Sequence, residues 1–193
     1  DPMLCPDFAG SEGIRVPGAL DGLELAVRAI LGQQITVKAA RTLTARLEDH
    51  CGIPLARAPE GLARCFPDVA TLAALSPDVL GSLGIVKQRQ QAILSLAHAV
   101  QSGALHLQPG GDVAATMAQL QTLPGIGTWT AHYIALRALR WPDAFPSGDV
   151  ALQSALGVRE ASNPAAAAEA RSQRWRPWRG YATVRAWQSL LKT

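Results

Sequence analysis

The amino-acid sequence predicts an all-α fold. Apolar residues recur three and four positions apart in several segments, as they do on the buried face of a helix. No segment alternates apolar and polar residues over the length of a convincing strand. Glycines and prolines fall between the helical segments, where they end or interrupt helices. At 193 residues, the chain is long enough for one sizeable domain or two small ones.

Two helices are predicted first. One runs from Leu20 to Gly32, and the next begins after Thr36, which can serve as its N-cap. Their apolar faces are formed by Leu23, Val27, Ile30 and Leu31 in the first helix and by Val37, Ala40, Leu43 and Leu47 in the second. The residues Gly32–Gln34 form the exposed corner between them.

The middle of the chain is predicted to hold a loop and three helices. The stretch from Gly52 to Pro67 contains three prolines and is expected to be a loop. Short helices follow at about 68–75 and 77–83, and a long helix runs from about 86 to 103. A Pro-Gly-Gly linker then leads to Asp112, which can cap the next helix.

The next segment predicts a helix-hairpin-helix. A helical pattern runs into Pro124, breaks at Gly125 and Gly127, and resumes at Trp129. Without Cβ atoms, the glycines allow unusual dihedral angles and let a nucleic-acid phosphate approach the backbone. The unpaired amides at the start of the second helix can then donate to that phosphate. The alternative is an ordinary tight turn, but the flanking Leu-Pro and Thr-x-Thr-Ala sequences favour the phosphate-binding hairpin.

Three further elements complete the chain. A loop over 141–148, with two prolines and a glycine, brings Asp149 to the start of a helix that extends to about Leu156. Asn163 and Pro164 open an alanine-rich helix. A basic, tryptophan-rich segment follows, with Trp187 on the last helix.

Composition and charge restrict the class of protein. The chain is 48% hydrophobic and 17% charged, which is typical of a soluble globular protein, and no apolar run reaches the length of a membrane span. Its three cysteines, Cys5, Cys51 and Cys65, form no CxxC pair, so a disulfide framework or a zinc site is not expected. Six basic residues and no acidic residue lie between Arg171 and the C-terminus. This segment is either a solvated basic helix or a flank that faces DNA.

Asp149, Trp129 and Tyr133 permit a specific chemistry. Asp149 can be a helix N-cap, and a carboxylate held at a helix N-terminus can also stabilise an oxocarbenium-like sugar. Trp129 and Tyr133 stand four residues apart and share a helix face. That face is either part of the core or a stacking surface for an extruded base, and cation-π attraction would favour a positively charged methylated purine.

Several motifs together resemble one family. The segments 28–33 (RAILGQ), 123–131 (LPGIGTWTA) and 175–182 (WRPWRGYA), with Asp149 between the last two, occur in the order seen in the bacterial 3-methyladenine DNA glycosylase II family. This family belongs to the helix-hairpin-helix DNA glycosylase superfamily, and the likeness extends from about Val16 to the end. The resemblance implies two helical subdomains with a cleft between them. It also implies hydrolysis of the N-glycosidic bond of alkylated purines, of the 3-methyladenine and 7-methylguanine type, flipped out of duplex DNA.

The resemblance also assigns roles to residues. It places Asp149 at the catalytic position, and Trp129, Tyr133 and Trp187 in the base pocket. The DNA backbone would be held by Gly125, Gly127, Thr128 and Thr130, and a monovalent cation, Na⁺ or K⁺, by the carbonyls of Leu123 and Ile126. No other cofactor is implied. Gln34 falls at the position of the wedge that fills the gap left by the flipped nucleotide, although a solvated loop residue is the alternative.

The same likeness implies a domain organisation. Residues 1–18 are expected to be an irregular remnant of a missing α/β domain, and the chain is therefore expected to be a fragment or a natural short form. Residues 19–193 form the glycosylase domain, with one helical subdomain at about 30–125 and the remainder packed from the N-terminal helix and the C-terminal helices. We expect a monomer that binds double-stranded DNA in the bacterial cytoplasm, at the nucleoid and not at a membrane.

Two absences bear on the reaction. The endonuclease III branch of the superfamily carries a lysine where this chain has Trp129, and a cluster of four cysteines near its C-terminus; neither is present. Without that amine a Schiff-base route is disfavoured, so we predict a monofunctional enzyme that leaves an abasic site. The alternatives are a non-catalytic DNA-binding module and a glycosylase for another lesion. Whether Asp149 acts electrostatically or through a water stays open, and His132 is expected to be a surface or packing residue.

Overall fold

A computed structural model describes residues 13–57, 60–61 and 63–191 of the chain. Within these residues the protein is built from ten α-helices, a single-turn 3-10 helix at Gln173–Trp175 and one pair of very short strands. The α-helices are α1 (Gly22–Leu31), α2 (Val37–Cys51), α3 (Val69–Ala73), α4 (Pro77–Ser82), α5 (Lys87–Gln101), α6 (Val113–Thr122), α7 (Thr128–Arg137), α8 (Val150–Ala155), α9 (Pro164–Ser172) and α10 (Arg179–Ser189). The predicted all-α class is confirmed.

The helix starts follow the capping residues in the sequence. Thr36, Ser76, Asp112 and Asn163 each accept a hydrogen bond from the backbone amide three positions later, as N-caps do. The first helix begins at Gly22, two residues later than expected, and Asp21 caps it by accepting from the Glu24 amide at 2.9 Å.

One expectation for the middle of the chain is wrong. The segment from Gly52 to Pro67, which we expected to be a loop, contains two strands, β1 (Ile53–Pro54) and β2 (Arg64–Cys65). They pair antiparallel, with Ile53 opposite Cys65. Two residues are too few to display a period of two, so this pairing leaves no pattern in the sequence. Ala58, Pro59 and Leu62 lie outside the described residues.

The larger hydrophobic core joins helices from the first two thirds of the chain. Its fully buried residues include Leu31, Leu47, Ile93 and Ile134. α1 packs against α7, α5 and α2, while α3 packs against α5. The hairpin formed by α6 and α7 is therefore fixed on the same core as the corner between α1 and α2.

A second core forms around Phe145, Leu152 and Trp175, and it joins α8, α9 and α10. A small cluster around Leu136 and Ala144 packs on the end of α7 and contacts Trp187. A cavity of about 540 Å³ lies between the α1–α2 corner, the hairpin and the start of α8. The cleft predicted between two helical groups is present.

The predicted domain boundaries stay predictions. Residues 1–12 of the expected N-terminal remnant lie outside the described residues, and 13–18 form neither helix nor strand. None of the helices in the described part of the chain has the length and apolar character needed to cross a lipid bilayer.

Candidate active site

The two hairpin glycines have different structural roles. Gly125 has φ = +78°, a left-handed conformation, and a Cβ added there would lie 3.0 Å from the Cβ of Ala92. Gly127 has φ = −84°, which any residue adopts, and an added Cβ would meet nothing within 4 Å. The expected unusual dihedral angles therefore hold for Gly125 only, whereas the missing side chain at Gly127 leaves the backbone surface open.

The start of α7 is a backbone donor surface. Gly127 occupies the N-cap position, and no side chain caps the helix. The first amide with a helical partner is that of Ala131, which donates to the Gly127 carbonyl at 3.0 Å. Thr128 is exposed beside these amides. This helix N-terminus therefore has the positive electrostatic character that binds anions.

Thr130 differs from the other predicted DNA-backbone residues. Its side chain is buried, and its hydroxyl accepts a hydrogen bond from Nε2 of Gln33 at 2.9 Å. The same Nε2 donates to the carbonyl of Gly125, also at 2.9 Å. The carbonyl of Gln33 in turn accepts from the guanidinium of Arg89 on α5. We call the bond pair from Gln33 to Gly125 and Thr130 the hairpin latch, because it joins the α1–α2 corner to the hairpin.

Gln34 lies at the rim of the cavity. It is exposed and has φ = +55°, which is uncommon for a residue other than glycine. Its neighbour Gln33 is fixed by the hairpin latch, so the corner projects Gln34 from a rigid base. This position is compatible with the predicted wedge.

Asp149 is both a helix cap and a member of the aromatic cluster. Its Oδ1 accepts from the backbone amide of Leu152 at 2.7 Å and from Nε1 of Trp187 at 2.9 Å. Its Oδ2 accepts from Nε1 of Trp129 at 3.1 Å. The carboxylate is half-buried and lines the cavity. Three N–H donors therefore hold the carboxylate at the start of α8, on the wall of the cavity.

The three predicted pocket aromatics meet around this carboxylate. Trp129 stacks on Tyr133 with ring centroids 5.5 Å apart, and Tyr133 lies 6.4 Å from Trp187. Rings in direct contact leave no room for a base between them. Of the three, Trp129 is the one that lines the cavity. An incoming base would therefore meet Trp129 first, with Tyr133 behind it.

Arg137 contacts Tyr133 from the next turn of α7. Its Nη1 donates to the Tyr133 hydroxyl at 3.0 Å, and its guanidinium carbon lies 5.7 Å from the centre of the Tyr133 ring. Arg137 also donates to the Pro17 carbonyl. The tyrosine is thus held between Trp129 and Arg137, which fixes the back of the aromatic cluster.

A buried ion network holds the loop that carries Asp149. The guanidinium of Arg179 binds both oxygens of Asp143 at 2.8 and 2.9 Å and one oxygen of Glu169 at 2.7 Å. Arg176 also binds Asp143, at 2.9 Å. The exposed fractions of the Arg179 and Asp143 side chains are 3% and 8%. This network fixes the start of the loop to α9 and α10.

Sequence reasoning missed this network. Asp143 stands in a proline-containing loop, and its partners lie more than 30 positions further on, so no local spacing indicates the pairing. Within the basic segment, Arg179 is buried and Arg171 donates to the Leu156 carbonyl, whereas Arg174 and Arg176 are exposed. Lys192 lies outside the described residues.

His132 is a packing residue. Its Nδ1 accepts a hydrogen bond from the Phe145 amide at 3.2 Å, and its ring stacks on Trp141 at 5.9 Å. Burial, and secondarily the nearby Arg179 charge, lower the pKa of His132 below its usual value of 6.5. The neutral imidazole therefore packs against the loop that carries Asp149 and stabilises it.

The described residues contain no group of three or more His, Cys, Asp or Glu side chains placed to hold a metal ion. Cys51 and Cys65 are free thiols in this part of the chain, and Cys5 lies outside it.

Comparison with known proteins decides the family. Residues 27–180 match the family model described as HhH-GPD superfamily base excision DNA repair protein. The chain belongs to this HhH-GPD superfamily. The match includes the hairpin, the α1–α2 corner, Asp149 and the Asp143–Arg179 pair. The predicted superfamily is thereby confirmed.

Individual relatives of this HhH-GPD chain agree. It is 40% identical to DNA-3-methyladenine glycosylase 2 of Escherichia coli K12 over 179 residues, which cover 93% of this chain and 61% of that protein. It is also 40% identical, over 98% of its length, to the probable bifunctional transcriptional activator/DNA repair enzyme AlkA of Mycobacterium tuberculosis, and spans 38% of that protein. The crystal structure of a DNA-3-methyladenine glycosidase from Bacillus halodurans superposes with a TM-score of 0.73 at 23% identity, covering 98% of this chain and 84% of that one. The chain thus spans between about two fifths and three fifths of these curated relatives.

Proposed function

We propose that this protein is a monofunctional DNA glycosylase that hydrolyses the N-glycosidic bond of alkylated purines flipped out of duplex DNA, and so initiates base excision repair. The observation that carries the proposal is the half-buried Asp149 carboxylate. It lines the cavity between the hairpin, the α1–α2 corner and the start of α8, and it accepts hydrogen bonds from Trp129, which also lines that cavity, and from Trp187. The name of the Escherichia coli relative supports the same substrate class.

The carboxylate supplies the chemistry. Breaking a glycosidic bond builds positive charge on the sugar, and a fixed negative charge near that sugar stabilises the transition state. Asp149 is held by Leu152 and Trp187 on one oxygen, so it needs no reorganisation when the charge develops. The same carboxylate can act electrostatically or can orient a water, and both routes require it to be ionised.

The aromatic cluster supports an alkylated purine as the substrate. Methylation at N3 or N7 gives the base a positive charge, and a positive charge is attracted to the π face of an indole. Trp129 presents its indole at the cavity, and Tyr133, itself bonded to Arg137, stacks behind it. A cationic base is also a good leaving group, so modest stabilisation by one carboxylate suffices.

The hairpin supports double-stranded DNA as the partner. The open N-terminus of α7 would accept a phosphate through the amides near Gly127 and Thr128, while Gln34 would enter the gap left by the extruded nucleotide. We further propose that the protein acts as a monomer on the bacterial nucleoid in the cytoplasm, since its substrate is genomic DNA.

We also propose that the hairpin carbonyls of Leu123 and Ile126 bind a monovalent cation. The Gly125 carbonyl is engaged by the hairpin latch, and the Leu123 carbonyl accepts one hydrogen bond, from the Ile126 amide at 3.1 Å. The Ile126 carbonyl accepts no backbone hydrogen bond from the described residues. Each carbonyl has two lone pairs, so Leu123 and Ile126 keep free acceptors. Na⁺ or K⁺ bound there would add positive charge beside the phosphate site.

Base release from methylated duplex DNA tests the proposal. The wild-type protein is expected to release methylated purines and to leave abasic sites without cutting the strand, since no lysine is among the described residues that line the cavity. Asp149→Asn is expected to lower the rate at least about 100-fold. Asparagine is as good an N-cap as aspartate, so α8 and the fold should persist.

Asp112→Asn is the matched control, because Asp112 caps α6 outside the cavity. An Asp149→Asn variant with the wild-type rate would remove Asp149 from the catalytic role. DNA binding without release of any methylated base would indicate a non-catalytic binding module. Release of a deaminated or mismatched base instead would indicate a glycosylase for another lesion.

A further inference from the structure

A basic groove adjoins the cavity across the α1–α2 corner. It is formed by the first half of α2 and the start of α5, and it shares Ile35 with the cavity that holds Asp149. We use the name basic groove for the surface lined by Ile35, Thr36, Lys38, Ala39, Thr42, Leu43, Arg46 and Arg89.

The charge of the groove has one sign. Lys38, Arg46 and Arg89 line it, and none of the described residues that line it is acidic. Lys38, Thr42 and Arg46 are four residues apart on α2 and therefore share one face of the helix. Ile35 and Leu43 give the same surface an apolar part. Cations combined with an apolar surface complement a sugar–phosphate backbone.

Two of the cations are held in place by the fold. Arg46 donates to the Leu83 carbonyl at 3.2 Å, and Arg89 donates to the carbonyl of Gln33. Neither bond neutralises a charge, because both acceptors are uncharged carbonyls. Arg89 also connects the groove to the residue that forms the hairpin latch.

We propose that the basic groove binds the sugar–phosphate backbone of the DNA strand opposite the extruded nucleotide. The inference rests on the proposed function. A nucleotide extruded toward Asp149 leaves the duplex on the cavity side of Gln34. The partner strand then lies on the other side of the corner, where Lys38 and Arg46 are found. Because only duplex DNA supplies this second strand, the groove should make the protein bind duplex DNA more tightly than single-stranded DNA.

Lys38→Gln tests the proposal, and Arg41→Gln is the matched control. Both residues are exposed on α2, and Arg41 does not line the groove. The 193-residue protein would be titrated with a duplex that contains an abasic-site analogue in one strand, and with that analogue-containing strand alone. Both titrations would cover a range of salt concentrations. Lys38→Gln is expected to weaken duplex binding severalfold and to reduce the slope of log affinity against log salt by about 1.

The single strand separates the possible outcomes. If the proposal holds, Lys38→Gln leaves binding of the single strand unchanged, and Arg41→Gln leaves both affinities near those of wild type. An equal loss on duplex and single strand would assign the groove to the damaged strand and overturn the proposal. A Lys38→Gln duplex affinity equal to that of Arg41→Gln would show that the groove takes no phosphate.

Neutral phosphate analogues provide a second measurement. Methylphosphonate linkages in the undamaged strand should weaken wild-type binding and should have little further effect in Lys38→Gln. An additive effect in the variant would overturn the proposal. A wild-type protein that binds neither DNA would instead contradict the proposed function itself, so the two failures are distinguishable.

Discussion

Trp187 donates its indole N–H to Oδ1 of Asp149 at 2.9 Å, on the same oxygen that accepts the capping amide of Leu152. The other oxygen, Oδ2, accepts from Trp129 at 3.1 Å, and Trp129 lines the cavity. The two oxygens are therefore held differently. Oδ1 is fixed by the scaffold, whereas Oδ2 is held by the ring that an incoming base would meet.

This asymmetry predicts unequal effects of two matched substitutions. Trp187→Phe keeps an aromatic ring and removes a hydrogen bond that orients the carboxylate. A hydrogen bond to a charged group is worth about 1.5–3 kcal/mol, so single-turnover base release should slow about tenfold or more. Trp129→Phe keeps an aromatic ring at the cavity and removes the bond to Oδ2 only. Because Leu152 and Trp187 still fix Oδ1, the rate should stay within about threefold. A larger loss in Trp129→Phe than in Trp187→Phe would contradict this assignment of the two oxygens.

The hairpin glycines predict a separation of stability from DNA binding. Gly125→Ala places a Cβ at φ = +78° and 3.0 Å from Ala92, so the free energy of unfolding should fall by about 1–2 kcal/mol. Gly127→Ala adds a methyl group to open space at φ = −84° and should leave stability nearly unchanged. The affinity for abasic-site duplex should nevertheless fall in Gly127→Ala, because the methyl group projects where a phosphate would approach. Urea unfolding and DNA titration of both variants measure the two effects, and an unchanged affinity would exclude Gly127 from the DNA contact.

The ion network predicts that substitution of Asp143 lowers the unfolding free energy much more than substitution of Glu169. Asp143→Asn leaves the buried guanidinium of Arg179 without its bidentate partner, which should cost about 3–5 kcal/mol of unfolding free energy. Glu169→Gln alters the outer contact of the same guanidinium, where the glutamate side chain is 41% exposed, and should cost about 0–1 kcal/mol. Denaturant unfolding of the two variants compares these values. Equal losses would mean that burial does not determine the strength of these pairs.

The lowered pKa of His132 predicts a pH dependence of stability. The native protein keeps His132 neutral below pH 6.5, the usual pKa, while the unfolded chain takes up a proton there. Stability from this residue is therefore present above about pH 6.5 and is lost as the pH falls toward the lowered native value. The loss cannot exceed about 1.4 kcal/mol per pH unit for a single group.

His132→Gln provides the control for that measurement. Glutamine can still accept from the Phe145 amide and does not titrate. The unfolding free energy of this variant should fall less than that of wild type between about pH 7.5 and about pH 5.5. If the unfolding free energies of the two proteins depended on pH in the same way, a residue other than His132 would cause the loss of stability in acid.

Features set by local sequence were predictable. Asp149 as an N-cap follows from an aspartate after a proline-containing loop, and the hairpin follows from Gly125 and Gly127 between two helical patterns. The family resemblance placed Asp149, Trp129 and Trp187 in one site, but their hydrogen bonds were not predicted. No local pattern indicates them, because Trp129 and Trp187 lie 20 and 38 positions from Asp149.

Features set by long-range contacts were not predictable. Gln33 bonds to Gly125 across 92 positions, and nothing in the Gly-Gln-Gln corner indicates which glutamine faces inward. From the sequence, Arg179 belonged to a basic segment. In the structure it is buried, because it pairs with Asp143, which lies 36 positions earlier. Such pairs depend on how the helices pack against one another. A single sequence indicates that packing only through the pattern of apolar residues that become buried.

The hairpin latch has a mechanical consequence. Because Gln33 bonds directly to Gly125 and Thr130, the projecting Gln34 and the open end of α7 belong to one stiff unit, with a spacing set before any nucleic acid arrives. A double helix seated on both points at once would have to kink to match that spacing. The free-energy cost of this deformation would then be a cost of distorting the DNA. It would be lowest at sites where damage has already weakened base stacking.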